Sequence, residues 1–301
     1  MTTTQDLAIP LKPEWQDATV EARPRSYVIN GTSYQRVTTA LGIINKPALV
    51  PWATKTATEA VRSLLLDKVK SGDVRRTGRF MGRDQGKYDD YANAVDAMIV
   101  EAKKKPDSIK EDAADLGHLT HEFVDRINRC ENPDGILEIL QEVPENVLPA
   151  VKGATEYLED YKIQVISTEQ IVWHPSLLFA GTFDGMGWMG DKLVLFDWKR
   201  SGGIYWEYAL QLGAYARCFQ EITGVMPDQA HVVRLSQGTA NADGRFYELK
   251  TITDLEAAWY AYHQALMLHK SQKLIWFKED VPAEPEAVDE EPEPEGITDS
   301  R

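Results

Sequence analysis

The order of periodic segments predicts an α/β fold with a mixed central sheet flanked by helices, plus a helical N-terminal extension. Three observations carry that expectation. Apolar, strand-like runs at 165–173, 179–189 and 193–199 follow one another closely, with Gly190-Asp191 as the tight turn between the last two. A helical pattern over 206–223 separates them from a fourth run at 230–236, the spacing of a right-handed parallel crossover. Most of the remaining helical patterns lie ahead of the strands, with one more at 253–270 after them.

The elements follow in chain order. Residues 1–25 are rich in proline and are expected to be extended, with little structure of their own. The stretch 26–37 reads as a hairpin turning at Asn30-Gly31, a dipeptide that accepts the positive φ of a type I′ turn. Pro47 and Pro51 bracket a connection. Helices are expected over 52–70 and 89–104, the second stopped by Pro106. A helix over 113–130 carries Leu116, Leu119, Phe123 and Ile127 as its apolar stripe, and another covers 146–161. After the central strands come the helix 206–223, strands at 230–236 and 245–250, and a helix at 253–270. This divides the chain into an extended segment (1–25), a mainly helical, basic region (26–110), a core (111–278) and a disordered acidic tail (279–301).

Composition narrows the class. No apolar run approaches the ~18 residues of a membrane helix, and the N-terminus lacks a signal-peptide pattern, so no membrane partner and a cytoplasmic location are expected. Cys130 and Cys218, the only cysteines, form no CxxC and cannot supply the four thiolates of an iron–sulfur cluster. The net charge of −14 is concentrated: the tail from Glu279 to Arg301 holds ten acids and one arginine, leaving −5 on the body. Residues 55–87 hold nine Lys or Arg against four acids, including Arg75, Arg76, Arg79 and Arg83. Such a stretch can follow a phosphate backbone, or can be a solvated face. Gly185-Met186-Gly187-Trp188-Met189-Gly190 spells GxGxxG, but a strand follows it where a dinucleotide site needs a helix.

The chemistry gathers around Asp184, Asp197 and Lys199. Asp197 and Lys199 are two apart on one strand and share a face. Alone, such a pair is commonly a surface ion pair. The turn at Gly190-Asp191 sets the strand of Asp184 beside them, and two carboxylates with a lysine at strand ends suit a divalent cation and a phosphate. Trp198 faces the other way, its carbonyl a possible further ligand. Gln211 and Tyr215 are four apart and share a helix face.

Gly181-Thr182-Phe183-Asp184, Asp197-Trp198-Lys199 and Gln211-Leu212-Gly213-Ala214-Tyr215, preceded by Gly117-His118-Leu119-Thr120-His121, resemble the motifs of the PD-(D/E)XK (restriction-endonuclease-like) nucleases, RecB-like exonuclease branch. Tyr34–Leu41, with Trp52, is similar to an element of phage-encoded members. The resemblance implies metal binding by His121, Asp184, Asp197 and the Trp198 carbonyl, with one or two Mg²⁺ or Mn²⁺ ions. It implies Lys199 as the catalytic lysine, Gln211 and Tyr215 beside it, and Glu169 as an acid that helps a second metal or orients water. The implied activity is a metal-dependent DNA exonuclease of phage or bacterial recombination, repair or replication, acting on single- or double-stranded DNA. A separate recombination or single-strand-binding partner and a homo-oligomer fit that picture. The alternatives are a structure-specific endonuclease on the same fold and a non-catalytic DNA-binding recombination factor.

Overall fold

Near-continuous burial along the central strands marks one mixed sheet whose two faces are both covered. The structure, a computed structural model, describes residues 2–3, 9–44, 49–70, 85–130 and 132–276. Strands β1 (Thr2–Thr3), β2 (Thr19–Arg23), β3 (Ser26–Ile29) and β4 (Thr32–Arg36) run antiparallel in sequence order. Asn30 and Gly31, at φ 48° and 77°, make the two-residue turn between β3 and β4. Helices α1 (Val37–Leu41), α2 (Leu49–Lys70), α3 (Gln85–Arg129), α4 (Pro133–Glu142) and α5 (Leu148–Asp160) follow. Strands β5 (Gln164–His174), β6 (Phe179–Met189) and β7 (Lys192–Lys199) form an antiparallel meander. Helix α6 (Glu207–Thr223) crosses to β8 (Gln229–Leu235), which runs parallel to β7, and β9 (Tyr247–Ile252) and α7 (Leu255–Trp276) complete the order.

The sheet forks at β6. One edge of β6 pairs along its length with β5. The other edge pairs with β4 at Phe179 and Ala180 and with β7 from Gly185 onward, leaving Gly181–Asp184 between the two partners. Along β7, Leu193 and Leu195 point into a core shared with α1, α6 and α7. Val194, Phe196 and Trp198 point into a second core shared with α3 and α5. Asp197 and Lys199 continue the first of these two rows, toward α6.

Three expectations need correction. Thr19–Arg23 is not an unstructured extension: Val20 is buried and the segment pairs with β3, because its alternation outweighs the prolines around it. Pro106 does not end a helix. It lies buried within α3, four and eight residues after the buried Ala102 and Met98, so its ring joins the apolar stripe of a helix that packs on α2. That packing offsets the ~3 kcal/mol a proline costs inside a helix. The expected boundary near residue 110 therefore falls within one helix, and the 26–36 hairpin belongs to the same sheet as the core strands. Helix α4 was not expected, although Asn132 caps it by accepting from Asp134 N–H at 3.1 Å and Pro133 starts it. The basic run Arg75–Arg83 and the acidic tail lie outside the described residues.

Candidate active site

Register places the acidic groups opposite one another. The last β6–β7 pair is Gly185 with Phe196, so Asp184 and Asp197 are the next residues in register and share a face. Trp198 N–H donates to Asp184 Oδ2 at 2.6 Å across the fork. In an extended strand the carbonyl of a residue points to the same edge as its N–H, so the Trp198 carbonyl is directed into the same fork. The Trp198 ring packs away from it, against Tyr157 and Phe196.

On the other edge of β6, Thr168 pairs with Gly185 and Gln170 with Phe183, which sets Glu169 opposite Asp184. A bulge between Val165 and Ser167 shifts the register that makes this so. Glu169 itself has φ 49°, the left-handed region that an L-residue enters at a cost of roughly 1–2 kcal/mol. Helix α3 brings His121, whose Nδ1 lies 3.3 Å from Asp184 Oδ1 and 3.7 Å from Glu169 Oε1. His118, one turn away, takes no part in this group.

Lys199 forms an ion pair with Asp197, and its Nζ lies 5.0 Å from the centre of the Tyr208 ring. Gln211 Nε2 donates to the Tyr215 hydroxyl at 2.8 Å. Tyr215 lies against Gly181, where any Cβ would collide with its ring, so only glycine fits that position of β6. Gly185 is likewise covered by the ring of Phe196 and Gly187 by the β5 backbone at Gln164, so these glycines serve strand packing, while Gly190, at φ 65°, makes the turn.

The electrostatics are those of a site short of positive charge. Burial opposes the charged form of His121, but Asp184 and Glu169 outweigh it and hold the imidazole pKa well above its usual value. Burial likewise works against the Asp184 carboxylate, yet the His121 and Lys199 charges and the Trp198 N–H bring its pKa below the usual value. Burial pushes Asp197 up to about 6, Lys199 opposing and Asp184 adding to the rise. Burial works against the Lys199 ammonium, and Asp197 and Asp184 more than restore it. Burial, with Asp197 next, holds the Tyr215 phenol well above its usual range.

The donor atoms of His121, Glu169 and Asp184 lie within 4.8 Å of one another, so this group could hold a metal ion. One imidazole with two carboxylates suits Mn²⁺ and is compatible with Mg²⁺. The raised Asp197 carboxyl fits that assignment, since a further cation would relieve it. Asp197 is not in this group: it stands opposite Asp184, committed to Lys199. Tyr208 was missed. It lies three residues before Gln211 and seven before Tyr215, so helical spacing alone puts it on their face.

No protein-family model matches the sequence, and no curated protein matches it. Among solved structures, the chain is similar to LHK-Exo in complex with dAMP, at 14% identity and a TM-score of 0.32, over 53% of this chain and 91% of that one. It is similar to the alkaline exonuclease LHK-Exo from Laribacter hongkongensis at 12% identity and TM-score 0.25, over 50% of this chain and 91% of that one. It is similar to SSO0001 at 16% identity and TM-score 0.25, over 50% and 74%. Likeness at this level carries no functional conclusion.

Proposed function

We propose that the chain is a divalent-cation-dependent DNA exonuclease of the PD-(D/E)XK type, RecB-like branch. The observation that supports it is the convergence of His121, Glu169 and Asp184 with the Asp197–Lys199 pair at one fork of the sheet. A bound Mg²⁺ or Mn²⁺ supplies an acidified water and a counter-charge for the phosphate. His121, Glu169 and Asp184 would hold that ion, and the Trp198 carbonyl and, released from Lys199, Asp197 would offer it further oxygens. Lys199, kept charged by its carboxylates, donates to the attacking water or to a phosphate oxygen. Tyr208 and the Gln211–Tyr215 pair fix the lysine's approach. The basic residues between Lys55 and Lys87 fit a role in guiding the phosphate backbone.

The test uses 5′- and 3′-labelled linear DNA, single- and double-stranded, beside a closed circle, with Mg²⁺, Mn²⁺ or chelator. Linear DNA is expected to be degraded with either cation, to survive with chelator, and the circle to persist. Cleavage of the circle assigns an endonuclease instead. Linear DNA that survives both cations, or that is degraded in chelator, removes the proposal.

A further inference from the structure

Between Lys199 and α6 the chain runs through a short loop, Arg200 to Trp206, that is firmly held. The Arg200 guanidinium donates to the Asn146 carbonyl at 2.8 Å, and Gln237 Nε2 donates to the Arg200 carbonyl at 3.1 Å. Ser201 Oγ donates to the Gly203 carbonyl at 2.7 Å. Tyr208 N–H and Ala209 N–H, each at 3.1 Å, donate to the carbonyls of Tyr205 and Trp206. This pinned loop nevertheless presents its two largest apolar side chains to water: Tyr205 is 40% exposed and Trp206 60%. Exposed aromatics on a fixed backbone are a surface for a partner rather than a frayed piece of core.

Their position says which partner. Tyr205 packs edge-on against Tyr208 at 5.6 Å, and the Tyr208 ring lies 5.0 Å from Lys199 Nζ. A stacked strand advances about 3.4 Å per nucleotide, so the Tyr205 ring, with Trp206 next to it in the chain, lies within about three nucleotides of the lysine. Every base offers a flat π-face, so stacking on Tyr or Trp is tolerant of sequence.

We propose that Tyr205 and Trp206 form a stacking platform for an unpaired nucleobase of the strand entering the Lys199 site. The proposal rests on the nuclease function above and deepens it: a base must be unpaired to stack there, so single-stranded or frayed ends are the preferred substrate over blunt duplex.

The experiment measures binding of the full chain, in chelator, to a fluorescent single-stranded oligonucleotide and to an abasic strand of equal length, beside digestion of the same strand with Mn²⁺. Wild type is expected to prefer the base-bearing strand. The double variant Tyr205→Ala/Trp206→Ala should bind it about tenfold more weakly, the equivalent of ~1.4 kcal/mol, with affinity for the abasic strand unchanged. Trp206→Tyr should restore part of the preference, which a merely structural defect would not allow. A wild type that digests DNA but binds both strands equally, or a double variant that binds as wild type does, overturns the platform and leaves the nuclease standing, as expected if these rings face another protein. Base-dependent binding lost in the variant, without digestion by wild type, supports the platform and removes the nuclease. A wild type that binds neither strand overturns both.

Discussion

At the scale of single residues, Lys199 and Asp197 depend on each other. Asp197 is buried and Lys199 largely so, each is charged, and each loses its partner if the other is removed. Lys199→Ala is expected to lower the cleavage rate by on the order of 10²–10³-fold, the size of loss seen when one preorganised donor is removed. It should also destabilise the fold, since removing one partner of a buried pair typically costs about 3–5 kcal/mol. Single-turnover cleavage and urea unfolding separate the two effects, and a Lys199→Ala protein that cuts at the wild-type rate excludes the lysine from the chemistry. The motif residues were legible because their spacings are the local periods of strand and helix. Glu169 opposite Asp184 was not securely legible, because a bulge sets that register and no local period announces it. The meeting of His121 with both carboxylates required the packing of α3 against the sheet, which is a tertiary fact.

At the scale of elements, the α5 and β8 layer is joined by a buried polar contact away from the site. Tyr157 on α5 and His231 on β8 are both buried, with the hydroxyl 2.6 Å from Nδ1, while Gln229 Nε2 lies 2.7 Å from Nε2. The amide nitrogen can only donate, so Nε2 accepts and Nδ1–H faces the hydroxyl. Burial lowers the His231 pKa from 6.5 to about 4. The folded pKa is depressed, so the unfolded chain binds the proton more readily. The stability from neutral His231 is complete above about pH 6.5 and is lost as pH falls toward about 4, by about 3 kcal/mol. Urea midpoints at pH 7 and pH 4.5 should therefore differ less for His231→Gln than for wild type, and equal differences would refute the assignment. The strands of the centre were legible to within a residue or two. Helix α3 was not, since Pro106 reads locally as a stop and only its burial in a helix packed on α2 explains its place.

At the scale of the whole molecule, one small site gathers a helix from one layer and two strands of the sheet. An ion held by His121, Glu169 and Asp184 would clip α3, β5 and β6 together, so binding should appear as global stability. With Mn²⁺ at 100 times its dissociation constant, unfolding should cost about 2.7 kcal/mol more than in chelator. Thermal melts should show the rise in wild type and little of it in Asp184→Asn, and equal rises in both would place the ion elsewhere. Among the described residues no helix is long and apolar enough to cross a membrane. The twisted backbone of Glu169 carries one more consequence. A carboxylate occupies a position where glycine would sit at ease, at a cost in backbone strain. Glu169→Gly should therefore yield a protein that resists urea better by about 1 kcal/mol in chelator and gains less from Mn²⁺, a hardier fold with a poorer grip on its ion.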